Sequence, residues 1–232
     1  SLAEAYAAVH APKDKLNSIG DELASLTRDP KALATAGQVY FLAGNDERSM
    51  SAYNASLALE SNNAGVRAGL VKVLNRRAGV AVEKGEVGSA YNLLSEAVKL
   101  SPEDLMTNRN LGLVLLLSRK YFEAEQVLAR ALRKVPNDMV LNRMLGRAQR
   151  GQRKTTAAQA TYERAATMAL RTRGPDLAAV YAELGPMYVE SDRLDQAVSV
   201  LETAVKEAGA TPLLPVAQRN LSIAHLKRGL AR

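Results

Sequence analysis

Apolar residues recur along most of this chain at three- and four-residue intervals, in blocks of about two to five helical turns separated by short polar, glycine or proline breaks. Leu111, Leu115, Ala124, Leu128 and Ala131 make one such face, and β-branched runs with alternating polarity are scarce. The pattern predicts twelve helices, near 13–27, 30–43, 46–60, 64–84, 87–100, 104–118, 121–134, 138–150, 154–171, 176–190, 194–208 and 213–230. Pro102 and Pro136 stop the helices before them. Ser101-Pro102-Glu103-Asp104 reads as a cap, a first-turn proline and first-turn acids for the next helix, and Asn137-Asp138 does similar work one hairpin later. Arg171-Thr172-Arg173-Gly174-Pro175 reads as an extended turn, and the last helix has no partner after it.

The blocks repeat. Leu111-Gly112, Leu115, Ala124, Leu128, Ala131 and Pro136 recur 34 residues later as Leu145-Gly146, Gln149, Ala158, Tyr162 and Ala165. A further shift of 39 gives Leu184-Gly185, Tyr188, Ala197, Leu201 and Ala204, and 34 residues before the first copy stand Ala78, Ala81, Ala90, Leu94, Ala97 and Pro102. Gly37, Tyr40, Tyr53 and Ser56 form a looser early copy, and Leu221-Ser222 with His225 a partial last one. This resembles the tetratricopeptide repeat, whose 34-residue period carries W-x2-L-G-x2-Y, then A-x3-F, then P. The signature tryptophan is replaced by Asn108, Asn142 and Tyr181. The resemblance implies an all-α, right-handed solenoid of antiparallel helix hairpins, about five to six repeats over residues 30–232, ending in an unpaired C-terminal helix. Residues 1–29 are then an N-terminal helical cap or the remnant of a preceding repeat. Gly112 and Ala124 are expected on opposite helices of one hairpin, where small residues let the backbones approach, and His225 as a packed or capping side chain.

Composition narrows the function classes. The 232 residues are 47% hydrophobic and 24% charged, enough to bury a core, while aromatics make up only 4%. With no cysteine there is no disulfide framework, thiol nucleophile or cysteine–zinc site, and two histidines are too few for a histidine-rich metal site. No apolar run approaches the roughly 18 to 20 residues of a membrane-spanning helix. Phosphate loops, H-E-x-x-H and G-x-S-x-G are absent, and Glu123 and Glu125 lie two apart on different helix faces. The expectation is a non-catalytic chain needing neither cofactor nor metal. No basic start followed by an apolar run is visible at Ser1, and the absence of cysteine suits the bacterial cytoplasm and periplasm equally.

The net charge of +7 has one source. Residues 61–175 carry 20 basic and 9 acidic side chains, whereas residues 1–60 carry 5 and 8 and residues 176–232 carry 6 and 7. In the architecture that the resemblance implies, the first helix of each pair lines a concave groove. That template places Lys72, Asn75 and Arg76 in the groove, then Arg109, Asn110, Leu113 and Leu116, then Arg143, Met144, Arg147 and Arg150, with Val140 among them. The next copy offers Ala182, Glu183 and Val189. Arg119, Lys120, Arg130, Arg133, Lys134 and Arg164 are expected on outer, solvated faces. Guanidinium groups recurring on successive hairpins suit a partner's carboxylates, which they can fork through two parallel bonds. The resulting expectation is a protein-interaction scaffold binding a protein or peptide segment in which acidic and apolar residues interleave. The family resemblance adds bacterial envelope, secretion or pilus assembly as a narrower setting. Family members that hold a chaperone's acidic tail use K-x3-R on a third repeat; Lys72-x3-Arg76 has the spacing, but it falls too early, so that clamp is not carried over. Nucleic acid is the alternative partner: the basic block could track phosphates, against which stand the few aromatic side chains available for stacking.

Overall fold

The computed structural model describes residues 12–26 and 28–231, and His10 lies outside them. Among the described residues there are twelve helices and no strand. They are α1 (Lys13–Ala24), α2 (Pro30–Ala43), α3 (Asp46–Leu59), α4 (Ala64–Glu83), α5 (Val87–Leu100), α6 (Leu105–Leu117), α7 (Tyr121–Lys134), α8 (Met139–Gly151), α9 (Thr155–Ala169), α10 (Gly174–Glu190), α11 (Leu194–Ala208) and α12 (Leu213–Leu230). The chain divides into two compact units, 1–114 and 115–232, with the boundary inside α6.

The turns that follow α2, α4, α6, α8 and α10 close in the same way. In each, one residue is left-handed: Gly44, Gly85, Arg119, Arg153 and Asp192, with φ of 82°, 77°, 57°, 61° and 57°. The next residue's N–H reaches back five positions, as Asn45 does to Tyr40 O (2.8 Å), Glu86 to Ala81 O (2.8 Å), Lys120 to Leu115 O (2.9 Å), Lys154 to Gln149 O (3.0 Å) and Arg193 to Tyr188 O (2.8 Å). This closure satisfies carbonyls that the helix end leaves open and redirects the chain into the second helix.

In the first unit, glycines let large rings sit against the neighbouring backbone. A Cβ on Gly37 would stand 2.7 Å from the Tyr53 ring, and one on Gly20 would stand 2.6 Å from Tyr40. Buried Ser49 donates to Gly37 O (2.7 Å) and buried Ser56 to Pro30 O (2.7 Å), so these hydroxyls bind α3 to α2. Tyr40 donates to Asp21 (2.6 Å), which also takes Arg48 at 2.8 Å. Burial and then Asp21 push the Tyr40 phenol up to about 12.

The second unit repeats these devices. A Cβ on Gly146 would meet the Tyr162 ring at 2.9 Å, and one on Gly185 would meet Leu201 at 2.4 Å. Tyr188 donates to Glu163 (3.0 Å), and Arg193 reaches the same carboxylate while lying 4.4 Å over the Tyr188 ring. The core is Tyr162, Leu177, Leu184, Met187, Leu201 and the alanines between them. The last helix, α12, packs on α10, where Asn220 donates to Ala182 O (3.0 Å).

Four sequence expectations change. Ser101 does not cap α6: Asp104 does, accepting from Thr107 N at 2.8 Å, so Pro102 and Glu103 precede the helix. The turn before α10 ends earlier than expected, because Gly174 and Pro175 already form the first turn. His225 is exposed rather than packed, its Nδ1 3.1 Å from an Arg228 nitrogen. Asn108 and Asn142 do more than vacate the tryptophan position. Asn108 donates to Pro102 O and Asp104 O (both 2.8 Å), and Asn142 to Pro136 O (3.0 Å) and Asp138 O (2.8 Å), so each buried amide pins the loop before its helix.

Candidate functional site

In the first unit, the predicted residues lie on α4 and α6. Lys72 and Arg109 are exposed. Asn75 donates to Thr107 Oγ1 (2.7 Å) and accepts from Asn110 (2.8 Å), so these two amides stitch α4 to α6 instead of facing a ligand. Arg76 is also engaged. It lies 3.7 Å from the Phe41 ring centroid, pairs with Asp46 and donates to Phe41 O (2.9 Å), bracing α4 against the preceding hairpin. Leu113 is half-buried.

In the second unit, Arg143, Arg147 and Arg150 occupy α8 at positions that share a face. Arg143 reaches Glu183 Oε1 at 3.3 Å, and Arg150 reaches Glu190 Oε1 at 2.9 Å, both carboxylates belonging to α10. Arg147 is exposed, with no hydrogen bond or ion pair among the described residues. Met144 and Leu116 are buried, at 5% and 6% exposure, so they support this face from below more than they form its surface. Val140 is half-buried.

A cleft of about 360 Å³ opens beside these cations, lined by Leu116, Tyr121, Arg147, Arg150, Tyr162 and Glu183. Glu183 is neither basic nor large and so escapes a search for groove cations, while Tyr162 reads from the sequence as packing alone. A signal was present: Glu183 stands 40 residues after Arg143 and Glu190 stands 40 after Arg150, close to the spacing between successive copies. Glu183 Oε2 is buried without a hydrogen-bond partner among the described residues. Burial raises the Glu183 carboxyl above its ordinary range, opposed first by Arg143 and then by Arg147. Burial and the Glu183 charge raise the Tyr162 phenol. Among the described residues no group of three or more histidine, cysteine or carboxylate side chains is placed to hold a metal ion.

The predicted outer cations Arg119, Lys120, Arg133, Lys134 and Arg164 are solvent-facing to differing degrees, and Arg130 lies on the same outer helix as Arg133. The second unit as a whole holds 19 basic and 11 acidic residues, against 12 and 13 in the first.

The family model described as tetratricopeptide repeat matches residues 75–138 and 143–210, more than half of the chain. The chain belongs to the tetratricopeptide repeat family. Solved tetratricopeptide structures agree in fold. YrrB, described as a TPR protein with an unusual peptide-binding site, superposes with a TM-score of 0.65 at 17% identity, covering 88% of this chain and 99% of that one. MamA 41-end from Desulfovibrio magneticus RS-1 gives a TM-score of 0.57 at 20% identity over 76% of this chain and 93% of that one. TTC0263, a thermophilic TPR protein of Thermus thermophilus, gives 0.52 at 17% identity over 85% of this chain and all of that one. A search of curated proteins finds no match. At these identities the likeness speaks for the fold alone.

Proposed function

We propose that the chain is a non-catalytic protein-interaction scaffold and that the α8 face of the second unit receives a partner segment in which acidic and apolar residues interleave. One observation carries this reading: Arg147 is exposed, without a hydrogen bond or ion pair among the described residues, beside a cleft whose other walls include the half-buried Tyr121. A partner carboxylate meets a guanidinium there, while its apolar neighbour meets the half-buried Tyr121 ring. Exposed ion pairs contribute only about 0 to 1 kcal/mol each. A pair partly desolvated against an apolar wall contributes more, and several together support a micromolar complex, about −8 kcal/mol. Lys72 and Arg109 offer exposed cations on α4 and α6 of the first unit, proposed as partner contacts of that unit by itself. YrrB, described as having an unusual peptide-binding site, supports it by analogy of fold. A setting in bacterial envelope, secretion or pilus assembly rests on the family resemblance alone.

The test is a titration with a short synthetic peptide of alternating glutamate and leucine. Arg147→Glu with Arg150→Glu should abolish binding while helicity and the unfolding midpoint stay near the parent's. Arg133→Glu with Lys134→Glu, on the outer face of α7, alters the charge equally and should weaken binding far less. Equal losses from the two pairs mean that net charge alone governs binding, and the α8 face is then not the site.

A further inference from the structure

Glu183 is the feature that the proposed function leaves without a role. It lies across from three guanidinium groups, leaves about a quarter of its side chain open and lines the cleft, and one of its oxygens is buried with no hydrogen bond among the described residues. The charged and titratable groups that face it are Arg143, Arg147 and Arg150 from α8 and the Tyr162 phenol from α9. From the other packed elements, α12 brings Asn220 to the Ala182 carbonyl and α11 brings Leu201 to Gly185; neither side chain carries charge. On α10 itself, Glu190 is already held by Arg150.

A partner carboxylate drawn to Arg147 in this cleft therefore comes close to a second carboxylate. Two such groups sharing one site do not both stay ionised; the more buried one takes up a proton. Resting on the acidic-segment reading above, we propose that Glu183 makes binding proton-linked: an acidic side chain enters the cleft together with one proton from solvent, which Glu183 accepts. The proton goes to the carboxylate oxygen that now lacks a partner, and the neutral carboxyl no longer repels the incoming carboxylate. One positive charge enters with each negative one, and the arginines pass from neutralising Glu183 to neutralising the partner. Glu183 also starts from a carboxyl raised by burial, the direction that proton uptake requires.

The linkage is measured by calorimetry of the alternating glutamate–leucine peptide in buffers of different ionisation enthalpy, near pH 6.5. Wild-type protein should take up a net fraction of a proton per peptide and bind more tightly as pH falls from about 7.5 to about 5.5. Glu183→Gln imitates the protonated side chain. It should bind about tenfold more tightly at pH 7.5 and show no uptake beyond the peptide's own. Glu190→Gln removes an exposed carboxylate from the same helix and should leave the uptake unchanged. Binding by wild-type protein without uptake overturns the linkage and leaves the acidic-segment reading standing. Weaker binding by Glu183→Gln also overturns it, since Glu183 then serves to hold the arginines in place. No binding by either protein overturns the acidic-segment reading, and this inference with it. The wild-type proton count needs no variant to fold.

Discussion

Glu125 shows how single side chains bind neighbouring helices here. It accepts from Gln152 (2.7 Å) and from Lys154 (2.6 Å), joining α7 to the turn after α8. Burial alone would raise its carboxyl, but the bonds from Lys154 and Gln152 and the Lys154 charge outweigh that and hold it below the ordinary range. The unfolded chain then binds this proton more readily than the folded one. The contribution to stability is present above the ordinary glutamate range and is lost as pH falls through the lowered folded value. Glu125→Gln should cost about 1 kcal/mol at pH 7, read from urea midpoints, and its curve should converge on the parent's as pH falls below the ordinary glutamate range. A cost that persists undiminished at low pH would show that the site acts through shape instead of charge. Contacts of this kind were not legible in the sequence. Periodicity places Arg76 and Arg143 on their helix faces. It does not reveal Asp46 thirty residues before Arg76, or Glu183 forty residues after Arg143, and these partners turn two expected ligand contacts into internal ion pairs. Met144 and Leu116 fell on the expected helices, but at angles that bury them.

At the scale of helices the sequence was far more informative, because the signals are local. Every helix stands within three residues of its predicted bounds, set by alanine and leucine spacing together with Pro30, Asp138 and other starting residues. The shared geometry of the turns is less legible. Gly44 and Gly85 advertise a left-handed residue, whereas Arg119, Arg153 and Asp192 adopt the same conformation without any glycine to announce it. An L side chain there is strained by roughly 1 kcal/mol. Arg153→Gly should therefore raise the unfolding midpoint, by about 0.5 kcal/mol net once the entropy of the freer unfolded chain is subtracted, and Gly85→Ala should lower it by about 1 kcal/mol. Nothing lies within 4 Å of a Cβ on Gly85, so that loss reports backbone conformation and not crowding. Thermal unfolding of the two variants checks both signs at once. If Arg153→Gly loses stability, the guanidinium makes a contribution larger than the strain.

Charge separates the two readings of the whole molecule. The excess belongs to the second unit, which holds 19 basic and 11 acidic residues, while the first is nearly balanced at 12 and 13. The two candidate partners use such an excess differently. A nucleic acid engages phosphates wherever cations stand, so the outer Arg133, Lys134 and Arg164 would serve as well as Arg147. A protein making 6 to 10 phosphate contacts loses roughly a thousandfold or more in affinity between 50 and 200 mM salt. A peptide seated on Arg147 and Arg150 releases only about two counterions' worth of charge and keeps its apolar contact with the half-buried Tyr121, so its loss over the same range should stay within about tenfold. We expect the alternating glutamate–leucine peptide to remain bound at 150 mM salt and a single-stranded oligonucleotide of similar length to be released. Aromatic side chains are too few, and Tyr162 and Tyr53 too deeply packed, to hold bases once the phosphates are screened. Fluorescence anisotropy of both probes across the salt series decides the matter. An oligonucleotide that survives 200 mM salt while the peptide dissociates would make the basic unit a nucleic-acid surface.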